Sequence, residues 1–213
     1  MKVKVTPSKV HGNVKIPASK SMAHRALICA SLSDGTSLVS NVTNSKDIEA
    51  TVGCMKALGA IIKQIDGTTY EVTGTNLFKQ EGNITCNANE SGSTLRFLIP
   101  LAACTNAKVK FLGQGRLLQR PMDVYANEFK KQNIEFNQSD KEIIVSGNLQ
   151  AKDYVVQGDI SSQFITGFMF VLPLLNQDST LTITEPYESK SYVNLTIQML
   201  AKFGIEILET SSN

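Results

Sequence analysis

Apolar residues follow two kinds of pattern along this chain. Short runs such as Thr36–Val42, Ala107–Gly113 and Ser179–Glu185 alternate in part between apolar and polar residues, which is typical of half-buried strands. Longer runs after a Ser- or Gly-rich start are apolar almost throughout, as in RALICASL, RFLIPLAA and FITGFMFVLPLL. Because a helix without a polar face is usually buried, these runs predict three buried helices in an α/β (α+β) protein.

The same order of runs occurs three times. Amphipathic helices follow in MKALGAIIKQ, FKKQNIEFNQ and LAKFGIEILE, which place Leu58, Gln132 and Phe203 at matching positions, and TYEVTG and EIIVSG close the first two units. Chance similarity between short helix starts is the alternative, but agreement at both ends of each unit favours a repeat. We predict three βαβαββ units with pseudo-threefold packing around buried parallel helices, the third lacking its closing strand. The units cover about residues 14–76, 80–148 and 152–213.

Polar residues gather where the three apolar helices are predicted to begin. These starts are Ser19–Ser21, Glu90–Ser93 and Ser161–Gln163. Packing around parallel helices would bring them to one surface, where free backbone N–H groups and helix dipoles favour an anion. Lys20 and Arg25 oppose the dipole of a free helix, but they suit a bound phosphate or carboxylate.

Each of these residues also has a structural interpretation. Ser19 and Ser161 can be helix N-caps, Lys20 can be solvent-exposed, and Arg25 can pair with Asp34 or Asp47. Only the convergence of three similar starts favours a binding site over these separate roles.

Composition narrows the class of protein. The 213 residues carry a net charge of +2 without a concentrated basic run, which argues against a nucleic-acid partner. The apolar run Phe164–Leu175 is too short for a bilayer and contains Pro173, and no signal-like segment is present, so we expect a cytoplasmic protein without a membrane partner. The cysteines form no C-x-x-C pair, and no metal-ligand pattern occurs, so we expect no metal.

Five motifs in order resemble those of the 5-enolpyruvylshikimate-3-phosphate synthase family. They are IPASKSMAHRAL, NESGSTLRFL, GRLLQRPM, GDISSQFITG and ESKSYVNLTIQMLAKFGIEI. The resemblance implies two domains of three βαβαββ units each, with the site between them, in a monomer about twice this length. It also implies transfer of the enolpyruvyl group of phosphoenolpyruvate to the 5-hydroxyl of shikimate 3-phosphate, with release of phosphate. This step of aromatic amino acid biosynthesis needs no cofactor.

The resemblance also assigns roles to particular residues. Lys20 would touch both substrates, and Gln163 would reach between them. The shikimate 3-phosphate side would consist of Lys20, Ser21, Arg25, Ser161, Ser162, Gln163, Ser189 and Tyr192. The phosphoenolpyruvate side would consist of Lys20, Gly92, Arg120 and Gln163, where the planar fork of Arg120 suits a carboxylate.

The chain departs from the family pattern chiefly in length. We expect residues 1–13 to be a strand segment of the other domain, and 14–213 to be the shikimate-3-phosphate-binding domain. The acid and base carboxylates would lie in the missing C-terminal domain, so no catalytic residue is assigned here and the chain alone is expected to be inactive. Glu90 and Phe97 replace the Asn and Pro of many members.

Two alternatives stay open at this stage. A related transferase acts on UDP-N-acetylglucosamine, but it has Lys-Asn in place of Lys20-Ser21 and a reactive Cys on the loop that here reads GRLLQR. The other alternative is a non-catalytic anion-binding module with the same fold.

Overall fold

A computed structural model describes residues 2–210 of the chain. Helices and strands both occur, which confirms the mixed α/β class. The helices are α1 Lys20–Leu32, α2 Lys46–Ala57, α3 Gly92–Ala102, α4 Asp123–Lys131, α5 Ser162–Val171 and α6 Lys190–Lys202. The strands are β1 Thr36–Val39, β2 Ile61–Gln64, β3 Tyr70–Thr73, β4 Glu81–Asn87, β5 Asn106–Leu112, β6 Glu135–Gln138, β7 Ile143–Ser146, β8 Asp153–Gln157 and β9 Thr180–Thr184.

The strands form three separate sheets. Their strand orders are β1-β3-β2, β4-β5-β7-β6 and β8-β9. The strands on either side of α3 and of α5 pair in parallel, whereas each closing hairpin is antiparallel. Only the middle segment, from β4 to β7, therefore shows the whole β-α-β-α-β-β order within residues 2–210.

The N-terminal segment lies outside the three sheets. Residues 2–19 contain no strand, and Val3, Val5, Val10, Val14 and Ile16 are all exposed. Residues 2–13 thus form no strand in this chain, and the expectation that residues 1–13 are a strand segment of the other domain stays a prediction; Met1 lies outside the described residues. A strand requires a hydrogen-bonding partner, and nothing in the described part of the chain pairs with this segment.

The segment after α6 differs from the prediction. The repeat predicts one strand of the third unit after α6, with only the last strand of that unit missing. Residues 203–210 form no strand, and residues 211–213 lie outside the described range. In the other two sheets the strand after the second helix is an edge strand that pairs only with the closing strand. Residues 203–210 have no such partner among the described residues, and the sheet therefore stops at β9.

Serine caps and matching C-caps define the helix ends. The hydroxyls of Ser19, Ser91 and Ser161 accept backbone N–H groups at the starts of α1, α3 and α5. The three landmarks of the sequence pattern, Leu58, Gln132 and Phe203, are the C-cap residues of α2, α4 and α6. The periodicity therefore marks real helix boundaries.

The helices α3 and α5 lie side by side and run in the same direction. Ser93 contacts Gln163 near their starts, and the rings of Phe97 and Phe170 meet further along, with centroids 5.5 Å apart. Close approach depends on Gly167, since a Cβ there would lie 2.1 Å from the Tyr125 hydroxyl oxygen and 2.7 Å from the Arg96 carbonyl oxygen. The starts of these two helices consequently form one joint surface.

The start of α1 lies beside the starts of α3 and α5. The His24 ring faces the edge of Phe97 in α3, with centroids 6.3 Å apart, and Arg25 reaches Thr166 in α5. These residues occupy the second turn of each helix, so the first turns of the three apolar helices lie near one another. Within residues 2–210 no helix has the length and apolar character that crossing a bilayer requires.

Candidate functional site

Lys20 begins α1 and is held by a carboxylate. Its Nζ lies 2.5 Å from Oδ2 of Asp47, which is in the first turn of α2. The side chains are 55% and 31% exposed, so the pair is accessible to a ligand. The structural alternative in which Arg25 pairs with Asp34 or Asp47 does not hold, because Asp47 pairs with Lys20 and Arg25 bonds to hydroxyls and carbonyls.

Arg25 is a buried connector between three helices. Its Nε donates to the Thr196 hydroxyl at 2.8 Å, and Nη2 donates to the Thr166 hydroxyl at 3.3 Å and to the Tyr192 carbonyl at 3.0 Å. Nη1 donates to the Ser21 carbonyl at 2.8 Å. Burial lowers the pKa of Arg25 to about 10, so the group stays charged at neutral pH. Two predicted site residues, Ser21 and Tyr192, are thus linked through it.

The remaining residues of the predicted shikimate 3-phosphate side line the starts of α5 and α6. The Ser161 hydroxyl caps α5, and Ser162 is buried in its first turn. Ser189 precedes α6 with φ of 56°, in the left-handed region that non-glycine residues seldom adopt. Tyr192 follows one turn later with 49% of its surface exposed.

Gly92, Arg120 and Gln163 meet at the joint start of α3 and α5. A Cβ built on Gly92 would lie 2.5 Å from Nη1 of Arg120 and 3.9 Å from Oε1 of Gln163. Glycine is therefore required here for the guanidinium to approach the helix start. The structure thus brings together three of the four residues predicted for the phosphoenolpyruvate side, whereas Lys20 lies on the neighbouring helix start with Asp47.

Arg96 is a further cation at this surface that the sequence analysis did not select. Its Nη1 donates to Oε1 of Gln163 at 2.8 Å, and its Cζ lies 4.9 Å from the ring centre of Phe164. Burial, together with the nearby positive charge of Arg120, lowers its pKa. A basic residue in the apolar run RFLIPLAA was the available signal, the same signal that drew attention to Arg25.

A chain of buried hydroxyls connects the starts of α1, α2 and α3. Nδ1 of His24 lies 2.7 Å from the Thr51 hydroxyl, which lies 2.7 Å from that of Thr94. Thr94 in turn donates to the Ser91 hydroxyl at 2.7 Å. Burial lowers the pKa of His24 to about 4, so the imidazole is neutral at physiological pH and acts as a structural link.

Glu90 and Phe97, the two departures from the family pattern, have different surroundings. Glu90 is exposed, and its carboxylate lies against Gly115, which has φ of 60°. Phe97 is buried, and the Arg25 guanidinium lies 5.3 Å from its ring centre. Phe97 therefore packs against the Arg25 guanidinium in the core and does not face a ligand.

The cysteines offer no nucleophile in this structure. All four are buried thiols, and burial raises the pKa of both Cys29 and Cys104 to about 12. Hydrogen bonding to Cys86, with burial, raises the pKa of Cys54. No cluster of three or more His, Cys, Asp or Glu residues suitable for a metal ion occurs among residues 2–210.

The assembled surface is cationic and rich in hydrogen-bond donors, which is the kind of site that binds small anions. Comparison with known proteins identifies its class. The family model of EPSP synthase (3-phosphoshikimate 1-carboxyvinyltransferase) matches residues 5–213. The chain belongs to this family.

Curated relatives agree with that assignment, and a solved structure shares the fold. The chain is 49% identical over 205 residues to a 3-phosphoshikimate 1-carboxyvinyltransferase of Clostridium kluyveri, covering 95% of this chain and 48% of the relative. It is 44% identical to the enzyme of that name from Clostridioides difficile, covering 98% and 50%. A solved EPSP synthase from Acinetobacter baumannii shares the fold, with a TM-score of 0.77 at 19% identity, covering 93% of this chain and 45% of that one. The chain spans about half the length of the curated relatives it matches.

Proposed function

We propose that this chain forms the shikimate-3-phosphate-binding half of a two-domain EPSP synthase. In the complete enzyme, the enolpyruvyl group of phosphoenolpyruvate is transferred to the 5-hydroxyl of shikimate 3-phosphate, and phosphate is released. Half-length coverage of every reported curated relative supports a second domain as its partner. The cytoplasmic location and the monomeric full-length form expected from the sequence belong to the same proposal.

The observation that carries the proposal is the pair of guanidiniums at the joint start of α3 and α5. The pKa of Arg96 is lowered by burial and by the nearby positive charge of Arg120, so the two guanidiniums lie close together. The ion pairs found in residues 2–210 all involve lysines, so no carboxylate of the described chain neutralises either arginine. An anion would relieve this repulsion, and the helix dipoles would add to its binding. We assign this surface to phosphoenolpyruvate, with Gly92, Arg120 and Gln163 around it.

The shikimate 3-phosphate side is built differently. Exposed Ser189 and Tyr192 lie at one end of α6, and Ser161 and Ser162 lie at the start of α5. Arg25 is only 3% exposed, so we propose that it acts there by fixing Ser21 and Tyr192 through their carbonyls. We propose that Lys20 serves both sides by exchanging Asp47 for a substrate phosphate or carboxylate.

Two anionic substrates repel each other, and a cationic, donor-rich surface offsets that repulsion while holding them in contact. Proton transfers to and from the reacting carbons are assigned to the absent half. General acid–base groups typically contribute about 10²–10⁴-fold each, so we expect no measurable turnover from this chain alone.

Calorimetry with each substrate, together with a phosphate-release assay, tests the proposal. We expect weak binding of shikimate 3-phosphate, negligible binding of phosphoenolpyruvate and no phosphate release from the 213-residue chain. Joining it to the C-terminal half of the Clostridium kluyveri relative should restore release that depends on both substrates. This fusion is called the completed enzyme below.

Lys20→Ala tests the role of Lys20 in binding shikimate 3-phosphate. It should weaken shikimate 3-phosphate binding by tenfold or more and change the free energy of unfolding by less than about 1 kcal/mol, because the ion pair with Asp47 is exposed. Lys63→Ala is the control, since Lys63 also pairs with a surface acid, Glu71, at 3.9 Å. Phosphate release by the chain alone that vanishes with Lys20→Ala would overturn the view that catalysis needs a second domain.

A further inference from the structure

We propose that Arg96 is a positioning residue that fixes the side-chain amide of Gln163 as a hydrogen-bond donor toward the joint start of α3 and α5. The inference rests on the function proposed above, because it gives the amide a use at that surface. Arg96 is not among the residues that the family resemblance assigned to either substrate.

The backbone and side chain of Arg96 are both held in place. Its carbonyl accepts the Tyr125 hydroxyl at 2.7 Å, and that hydroxyl also reaches the Phe164 carbonyl at 3.2 Å. The guanidinium lies over the Phe164 ring with Cζ 4.9 Å from the ring centre. Arg96 is therefore held against α5 by its contacts with Phe164, the residue that follows Gln163.

The anchored guanidinium selects one orientation of the amide. An arginine offers only N–H donors, so the side chain facing it must present an acceptor. Nη1 of Arg96 donates to Oε1 of Gln163 at 2.8 Å, and Nε2 of Gln163 then donates to the Ser93 hydroxyl at 2.9 Å. With its oxygen engaged, the amide has its second N–H left for a ligand.

The orientation matters because the amide borders the proposed anion surface. Oε1 of Gln163 lies 3.9 Å from the position of a Cβ on Gly92, and the Arg120 guanidinium lies on the same side of Gly92. An amide turned by half a rotation would set its NH₂ group against the Arg96 guanidinium, donor against donor, and would place its oxygen where an N–H now donates to the Ser93 hydroxyl. Arg96 thus excludes the unfavourable rotamer before any ligand arrives, and it places a positive charge behind the amide.

The side-chain NH₂ signals of Gln163 in the ¹⁵N-labelled 213-residue chain test this directly, with Gln163→Ala identifying them. We expect two separated, slowly exchanging hydrogens in the original chain. In Arg96→Met, which keeps the apolar contact with Phe164, exchange with water should be at least tenfold faster. Arg116→Met is the matched control, since Arg116 is an exposed arginine outside these contacts.

Arg96→Lys provides a second variant if Arg96→Met fails to fold. A single ammonium retains the charge but cannot hold the plane of an amide as a guanidinium does, so exchange should still be at least threefold faster. Unchanged exchange of the Gln163 hydrogens in a folded Arg96 variant would overturn the inference.

Kinetics of the completed enzyme provide an independent readout. Arg96→Met and Gln163→Ala should each lower kcat/KM for phosphoenolpyruvate by about tenfold, as loss of one hydrogen bond to a charged group does. The double variant should lose clearly less than the product of the two single losses, because both changes remove the same amide orientation and only the charge of Arg96 is lost in addition. Multiplied effects, near a hundredfold, would overturn the positioning role.

The two proposals fail in distinguishable ways. If the completed enzyme with the original residues releases no phosphate, the proposed function fails, and the NH₂ exchange still decides the role of Arg96. If release is normal and exchange is unchanged in the Arg96 variants, only the positioning role fails.

Discussion

The glycine that begins α3 provides the sharpest test of the proposed phosphoenolpyruvate side. In Gly92→Ala the new methyl group would lie 2.5 Å from Nη1 of Arg120, whereas ordinary contact begins at 3.4 Å. The difference, 3.4 − 2.5, requires the guanidinium to withdraw by about 0.9 Å. Arg120 is exposed and its end is flexible, so the side chain can move while the backbone stays.

The displacement has a calculable cost for binding. A charge-assisted N–H···O bond of about 2.8 Å that lengthens by 0.9 Å passes beyond hydrogen-bonding distance. Loss of one hydrogen bond to a charged group costs about 1.5–3 kcal/mol, which corresponds to roughly a 10- to 150-fold rise in KM for phosphoenolpyruvate. KM for shikimate 3-phosphate should change less than threefold, because its proposed residues lie on α1, α5 and α6.

Steady-state kinetics of the completed enzyme and thermal melts of the 213-residue chain check both halves of this prediction. We expect the melting temperature of Gly92→Ala to be unchanged or slightly raised, since alanine favours a helix more than glycine does. Gly53→Ala is the control, because Gly53 lies in α2 and a Cβ there meets nothing within 4 Å. It should leave both Michaelis constants unchanged.

Two results would refute the reasoning. An unchanged KM for phosphoenolpyruvate in Gly92→Ala would place Gly92 away from that substrate. Gly92→Ala can also be added to Arg120→Met, where no guanidinium remains to be moved. If it then raises KM for phosphoenolpyruvate as much as it does in the original enzyme, the methyl group does not act by displacing Arg120.

Two further predictions concern buried groups. Arg25→Met should lower the free energy of unfolding in urea by about 2–4 kcal/mol, because Arg25 makes four hydrogen bonds to α1, α5 and α6 and several partners are buried; the exposed Arg116→Met is its control, and a loss below 1 kcal/mol would contradict the connector role. The pKa of His24 is about 4 when folded, against 6.5 in the reference state, so the unfolded chain binds the extra proton between these values. The free energy of unfolding is therefore unaffected by His24 above pH 6.5 and falls as the pH falls toward 4. At pH 5 the loss is about 2 kcal/mol. Urea titrations at pH 7 and 5 of the original chain, His24→Asn and the control His11→Asn check this, and an undiminished pH dependence in His24→Asn would contradict it.

Local pattern alone determined the apolar helices of this protein and the composition of their starts. An apolar run after a serine predicts a capped, buried helix. The serine supplies the cap, and a helix without a polar face must be buried, so both signals are contained in neighbouring residues. Ser19, Ser91 and Ser161 are caps for this reason, and the recurrence of Leu58, Gln132 and Phe203 marked three helix ends. The grouping of Gly92, Arg120 and Gln163 was expected from the family motifs.

Tertiary structure decided what each charged side chain contacts. Asp47 pairs with Lys20 rather than Arg25, and Arg25 instead joins helices that are about 140 and 170 residues away along the chain. Strand formation at both ends depended on partners that local sequence does not specify, so residues 2–13 and 203–210 remain without strands. Arg96 reaches the amide of Gln163 on the next helix only because Gly167 lets α3 and α5 approach closely. Such contacts depend on the distance between helices, which sequence periodicity does not encode.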